Sequence, residues 1–149
     1  MLMIFVLISW HYYLVDPYGG ASDIAFDNSG NPHLFYYSAD LGQVLHAWWD
    51  GANFEKEVIA TGLQYYNGGP AAVFDDQNRI HLAYFTSDEH LGYGFYDGTW
   101  HFEVADTTTK TGNFVNIALD QNNQPHITHR HSLNIFYGYL RYTKKVSGG

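Results

Sequence analysis

The chain has 149 residues, a formal net charge of −8 and no cysteine. A chain of this length forms one folded core. Its acidic balance argues against nucleic acid, whose binding depends on basic patches, and its seven Lys and Arg residues are too scattered to bind an anionic membrane. Without cysteine, a disulfide framework, a thiolate metal site and a cysteine nucleophile are excluded.

The first predicted element lies near the N-terminus. The run Met1–Ser9 is apolar, but it lacks a basic start and a small-residue cleavage site, and it is too short to span a bilayer. We expect it to continue a sheet; the alternative is a remnant of a truncated or anchored form. The phrase that starts at Trp10 matches a later phrase that starts at Trp100, which predicts a strand over residues 10–16.

From residue 22 onward, one order of short phrases occurs three times, over about 22–66, 70–112 and 115–145. Each copy has an Asp-led turn and then a histidine, and the three histidines are 48 and 45 residues apart. The runs between turns are rich in β-branched and aromatic residues, and no window has a helical period. We predict strands near 22–27, 33–38, 43–49, 54–60, 70–75, 80–86, 91–96, 100–106, 114–119, 125–131 and 136–144.

A fixed repeat of this length, made of short strands, is typical of a β-propeller. The predicted fold is therefore all-β, a single half-propeller domain over 1–149 with about three four-stranded blades. The last blade lacks its outer strand, whereas the strand at 10–16 has no blade. Because closed rings hold about four to eight blades, we predict a six-bladed homodimer in which 10–16 of each copy completes the last blade of the other. The alternative is a fragment of a longer propeller.

The phrase from Asp27 to Tyr36, followed by one such as Leu91 to Trp100, resembles tandem repeats in bacterial six-bladed propellers of the sialidase-like superfamily. The short chain is also similar to bacterial and fungal propeller lectins of the fucose-binding type, which build a six-bladed ring from small protomers. The resemblance extends from about Trp10 to Tyr142. It implies a propeller, but it does not transfer one activity, because this fold has many functions.

A sialidase-like glycosidase is the least favoured function. Sialidases bind a carboxylate with three arginines, whereas Arg79, Arg130 and Arg141 fall at different points of the repeat. A hydrolytic pair of carboxylates must face each other across a cleft. The aspartates instead recur once per blade, which predicts that they cap the turns. We predict no catalytic residue and no cofactor. The repeated aspartates are Asp27, Asp75 and Asp120.

The repeated histidines His33, His81 and His126 are expected to lie too far apart to share a metal ion. A hydrogen bond from each to a nearby Asp or backbone group is the favoured explanation, although their role stays open. His129 and His131 would share one face of a strand, but no carboxylate is adjacent in sequence. We therefore predict no metal site.

The favoured function is a non-catalytic module that binds carbohydrate, with a second copy of itself as its other partner. Partly exposed aromatic rings can stack on the apolar faces of sugars, and propeller lectins hold ligands between blades. The competing hypothesis is an interaction scaffold with no sugar ligand. The sequence does not indicate a compartment. The predicted ligand-binding residues are Trp10, Trp49, Tyr96 and Trp100.

Overall fold

The computed structural model describes residues 9–63, 68–134 and 136–146, and within these ranges it has eleven β-strands and no helix. The all-β prediction is confirmed. None of the described residues belongs to a helix long and apolar enough to cross a membrane. The strands are β1 (Ser22–Phe26), β2 (Pro32–Ser38), β3 (Gln43–Trp49), β4 (Phe54–Ala60), β5 (Ala71–Phe74), β6 (Ile80–Phe85), β7 (Leu91–Tyr96), β8 (Trp100–Asp106), β9 (Asn113–Leu119), β10 (Pro125–Ser132) and β11 (Gly138–Lys144).

The strands form three separate antiparallel sheets. Within each sheet, every strand pairs with the strand that follows it along the chain. Blade 1 contains β1–β4, blade 2 contains β5–β8 and blade 3 contains β9–β11. The first strands of the blades, β1, β5 and β9, lie side by side. The sheets are therefore successive blades arranged around their inner strands, which is the propeller architecture.

The turn between the first two strands has the same construction in every blade. In blade 1, the Oδ1 atom of Asp27 accepts hydrogen bonds from the backbone N–H groups of Ser29 and Asn31 at 2.9 and 2.7 Å. Asp75 and Asp120 accept the corresponding pair of bonds in their own turns. The predicted capping role of these aspartates is confirmed. The third residue after each Asp has a left-handed backbone: Gly30 (φ 83°), Asn78 (φ 62°) and Asn123 (φ 59°).

Two apolar cores hold the three blades together. The first, between blades 1 and 2, includes Phe35 and Val44 packed against Ile80, Leu82 and Tyr84. The second lies between blades 2 and 3, where Ile127 packs against residues of β6 and β7. Three repeated residues are buried between blades, as predicted: Leu82, Tyr84 and Ile127.

Blades 1 and 3 each have a face that no other blade of the chain covers. On the free face of blade 1, Ile24 and Phe26 are exposed, while Tyr36 is buried beneath the N-terminal segment and Leu34 is half-buried. Tyr36 and Leu34 were predicted to be buried between two blades. In the single chain they lie instead on the free face of blade 1. On the free face of blade 3, the exposed apolar residues include Phe114, Leu140 and Tyr142.

The predicted strand at 10–16 is not formed in the single chain. This segment lies on the free face of blade 1, and among the described residues it pairs with no strand. Its contacts are made by side chains: Val15 packs on the buried Leu45 and Ala47, and Asp16 accepts a hydrogen bond from Tyr36 Oη at 2.8 Å. Strand exchange with a second copy stays a prediction. Residues 1–8, expected to continue a sheet, lie outside the described residues.

Candidate binding site between the blades

Each repeated histidine is linked to the Asp of its turn and to a side chain on the third strand of its blade. In blade 2, His81 Nε2 lies 3.4 Å from Asp75 Oδ2, and its Nδ1 is hydrogen-bonded to Tyr93 Oη at 2.7 Å. The histidine of blade 3, His126, has the same two partners, Asp120 and Tyr142. His81 thus has the bond to its Asp that the sequence favoured, whereas His33 lies 4.0 Å from Asp27 and is hydrogen-bonded to another histidine instead.

In blade 1, this arrangement continues outward to the partly exposed boundary between blades 1 and 2. His33 Nδ1 and His46 Nε2 are 2.7 Å apart, and His46 Nδ1 lies 2.9 Å from Glu57 Oε1. The same carboxylate oxygen accepts a hydrogen bond from Trp100 Nε1 of blade 2 at 3.2 Å. We call this place the Glu57 groove. A chain of hydrogen bonds thus joins the interior of blade 1 to an aromatic residue of the next blade.

The aromatic wall of the Glu57 groove is built by a tight turn. Trp100 is the first residue of β8 and follows the Asp97-Gly98 turn, in which Gly98 has a φ of 114° that suits glycine. The turn brings Trp100 beside Tyr96, with ring centroids 5.2 Å apart. Phe102 stacks on Trp100 at 5.6 Å with nearly parallel rings. The predicted site residues Tyr96 and Trp100 are therefore neighbours in the groove.

The two histidines behind Glu57 favour the neutral form. Burial lowers the pKa of His46, against the opposing effect of Glu57. Burial also lowers the pKa of His33, and His46 lowers it further while Asp27 opposes the change. A neutral pair can share one proton in the bond between Nδ1 and Nε2. If neutral His46 accepts at Nε2 from Nδ1 of His33, its single N–H is on Nδ1 and is donated to Glu57, which fixes the orientation of the carboxylate.

A corresponding groove lies between blades 2 and 3, and we call it the Glu103 groove. Glu103 is opposite Tyr93 in the sheet, as Glu57 is opposite His46 in blade 1. Lys145 pairs with Glu103 at 2.7 Å and lies 5.2 Å from the centroid of the Tyr93 ring. These residues line a cavity of about 220 Å³. Within the described residues, this groove has no tryptophan in the position that Trp100 takes in the first.

The other two predicted site residues lie elsewhere. Trp49 is at the end of β3 on the free face of blade 1, where its ring contacts Phe54 and Tyr13 at centroid distances of 5.2 and 5.6 Å. Trp10 lies beyond this contact and is 97% exposed. The structure thus brings together Tyr96 and Trp100, but not all four residues.

The carboxylates Glu57 and Glu103 were not among the predicted site residues. A signal was present, because each is the third residue after the aromatic residue that opens its strand, Phe54 or Trp100. The signal does not stand out in the sequence, because other charged residues on the same strands are exposed to solvent. Only the packing of adjacent blades distinguishes Glu57 from these neighbours.

The three arginines do not converge on one pocket. Arg79 pairs with Asp75 at 2.6 Å, Arg141 pairs with Asp106 at 3.1 Å, and Arg130 lies over a ring on the free face of blade 3. Within the described ranges, no three His, Asp or Glu side chains are arranged to hold a metal ion.

The chain is a propeller-type protein. Its three antiparallel sheets, two with four strands and one with three, are arranged around adjacent inner strands. No protein-family model matches the sequence, and no curated relative matches it. The solved structures that match this chain include a sialidase and a lectin. The NanB sialidase from Streptococcus pneumoniae, in complex with a substituted ethanesulfonate, is 13% identical with a TM-score of 0.53, over 82% of this chain and 21% of that one.

The second structure is a fucose lectin from Kordia zhangzhouensis in complex with methyl-fucoside. It is 18% identical with a TM-score of 0.48, and the match covers 85% of this chain and 100% of that chain. This chain spans about a fifth of the length of the sialidase. At such identities the similarity to the sialidase indicates a shared fold, and the activity must be argued from the grooves themselves.

Proposed function

We propose that this protein is a non-catalytic carbohydrate-binding module and that the Glu57 groove holds a sugar. The observation that best supports this proposal is the hydrogen bond between Glu57 and Trp100, which places a carboxylate and an indole ring together at the boundary between two blades. The Glu57 side chain is 37% exposed, so a ligand can reach its second oxygen. The groove therefore combines a fixed polar acceptor with an aromatic wall.

The two kinds of surface on a sugar ring match the two components of this groove. A carboxylate accepts charge-assisted hydrogen bonds from neighbouring hydroxyl groups, and His46 holds the Glu57 carboxylate in one orientation. The C–H face of the sugar can pack on Trp100 and Tyr96, whose large flat rings lose little entropy when they bind. The residues that this proposal requires for glycan binding are therefore already in contact with one another in the Glu57 groove.

The test is a glycan array probed with the intact chain, followed by calorimetry with the best ligand. Trp100→Ala and Glu57→Gln should each weaken binding at least tenfold, which corresponds to about 1.4 kcal/mol. Glu55→Gln is the matched control, because Glu55 is an exposed carboxylate on the same strand. Trp49→Ala measures the role of a predicted aromatic residue that lies outside the Glu57 groove. A protein that binds no glycan, or a Trp100→Ala variant with full affinity, would exclude the proposal and favour the scaffold hypothesis.

We further propose that the binding module is a six-bladed ring made by two copies. The support is the presence of two uncovered sheet faces, each with large exposed apolar side chains such as Phe26 on blade 1 and Leu140 on blade 3. Apolar surface of this kind is stabilised by contact with another surface. Among the described residues, no strand pairs with the outer edge of β11, and an open edge favours the addition of a strand.

Light scattering after size-exclusion chromatography tests the ring. The expected mass is twice the 17.0 kDa of one chain, and deletion of residues 1–16 should reduce it to one chain or cause aggregation. A folded monomer at micromolar concentration would instead favour a fragment of a longer propeller.

A further inference from the structure

We propose that the Glu103 groove is a second sugar site that becomes complete only in the dimer, when Trp10 of a second copy takes the position that Trp100 has over Glu57. This inference rests on the proposed function, because it assigns the same class of ligand to a second groove. In the described part of the single chain, the side chain of Glu103 pairs with Lys145, and no tryptophan lies beside it as Trp100 lies beside Glu57.

The two grooves have the same framework. In each, a glutamate on the fourth strand pairs across the sheet with a side chain that is hydrogen-bonded to the repeated histidine of that blade: His46 in blade 1 and Tyr93 in blade 2. In the first groove the next blade adds Trp100, the residue that opens its own fourth strand. Blade 3 has three strands in the described part of the chain, so nothing there corresponds to Trp100.

The N-terminal segment already occupies the place of a fourth strand relative to blade 1. In the sequence repeat, Tyr13 corresponds to Glu57. Glu57 contacts Trp100 of the following blade, and Tyr13 contacts Phe54, the residue of blade 1 that corresponds to Trp100. The ring of Tyr13 also lies against Trp49, the counterpart of Tyr96.

Two more contacts repeat in the same way. Val15 packs on the free face of blade 1, as its counterpart Ile59 packs in the core between blades 1 and 2. Asp16 Oδ2 accepts a hydrogen bond from Tyr36 on the second strand of blade 1. Its counterpart Asp106 lies 3.7 Å from His129, at the same position of the second strand of blade 3. Residues 13–16 therefore contact blade 1 as the outer strand of a preceding blade would.

The direction of the other side chains follows from strand geometry. Neighbouring residues of an extended segment point to opposite faces. Since Tyr13 and Val15 face blade 1, the residues between and before them face away, and Trp10, Tyr12 and Leu14 are all at least 80% exposed. In β8, the residue that corresponds to Trp10 is Trp100, and it faces back toward the preceding blade.

In the described chain, β11 is the outermost strand of the blade that lacks the fourth strand present in blades 1 and 2, and it lies at the opposite end of the row of blades. If residues 10–16 pair with β11 of a second copy, Trp10 points back at blade 2 of that copy and reaches Glu103. The completed groove would contain an indole ring, a carboxylate and the ammonium group of Lys145. It would take a sugar, as proposed for the Glu57 groove, with one additional hydrogen-bond donor.

The absence of cysteine makes a direct test of this contact possible. Trp10→Cys and Glu103→Cys chains are mixed, unfolded and refolded together, and treated with a short bismaleimide. A cross-linked product of twice the mass of one chain is expected only from the mixture. The control is His11→Cys mixed with Glu103→Cys, because His11 would point to the opposite face of the strand. A dimer that gives no cross-link, or an equal cross-link from His11→Cys, would overturn the proposal.

Complementation tests the sugar site itself. Trp10→Ala and Glu103→Gln homodimers should each lose one sugar per chain in calorimetry, with the site at Glu57 unchanged. In a mixed dimer, one of the two Glu103 grooves regains both native residues, so half of the lost sites should return. Trp10→Phe keeps an aromatic ring and should retain the site, which separates loss of the wall from loss of the dimer.

These two readouts distinguish the proposals. Sugar binding at Glu57 without a Trp10–Glu103 cross-link would support the proposed function and exclude the shared groove. A cross-link without any sugar binding would support the predicted strand exchange, but exclude both sugar sites.

Discussion

Trp100 and Glu57 lie on neighbouring blades and are joined by a hydrogen bond of 3.2 Å between the indole Nε1 and the carboxylate Oε1. The bond links the packing of two blades to the polar group of the proposed site. The same contact therefore contributes both to the stability of the fold and to the shape of the groove.

Trp100→Phe tests this contact, because it removes the N–H group but keeps an aromatic ring. We expect a loss of about 1 kcal/mol in the free energy of unfolding, the usual net value of one hydrogen bond, together with weaker glycan binding. Urea unfolding measures the first effect. Trp48→Phe is the control, since Trp48 is half-buried but none of its described contacts is a hydrogen bond. Equal losses from both variants would show that ring size alone is responsible.

Asp75 should be the most important of the three turn aspartates. Its side chain is fully buried and accepts hydrogen bonds from the backbone of Gln77 and from the backbone and side chain of Arg79. These bonds lower the pKa of Asp75 although burial alone would raise it.

We expect Asp75→Ala to destabilise the protein by about 3 kcal/mol, because it leaves buried donors and a paired charge without their partner. Asp120→Ala is the matched variant in blade 3, where the side chain is more exposed, and it should have a smaller effect. Thermal unfolding of the two variants gives the order, and a reversed order would contradict this explanation.

Gly30 provides a test of the repeated turn. Its φ of 83° is in the left-handed region, and the equivalent residues of the other blades, Asn78 and Asn123, share that conformation. A Cβ atom at Gly30 would meet no other atom within 4 Å, so backbone strain alone decides the outcome. Gly30→Asn should therefore be nearly neutral, whereas Gly30→Val should cost about 1–2 kcal/mol. Chemical denaturation of the two variants measures the difference, and similar stabilities would contradict it.

The stability of the protein should fall as the pH drops below about 6.5. Burial lowers the folded-state pKa of His33, His46, His81 and His129 below the usual value of 6.5. The unfolded chain consequently binds protons at a higher pH than the folded chain does. The contribution of these histidines is complete above the unfolded pKa and is lost as the pH falls toward the folded values.

Melting temperatures between pH 8 and pH 5 measure this effect. His81→Gln should flatten the profile, because it removes one group that must become charged in a buried position. A melting temperature that increases toward pH 5 would contradict the explanation.

The repeat made most of the fold predictable from the sequence. Asp27 and its two equivalents mark turns because an Asx cap forms between residues that are close in sequence. Strand boundaries from β1 to β11 follow from the same local pattern of turn residues and β-forming residues. These features depend on interactions within a few residues, so they can be read along the chain.

The site was less predictable because it forms between blades. Tyr96 and Trp100 were predicted since they flank a turn, but Glu57 becomes distinctive only when Trp100, 43 residues later, is packed against it. Likewise, residues 10–16 have the sequence of a strand but do not form one in the single chain. A strand needs the backbone groups of a neighbour. The sequence by itself determined the turns, the strands and the number of blades, whereas the tertiary structure decided which side chains meet, because contacts between blades join residues that no local pattern connects.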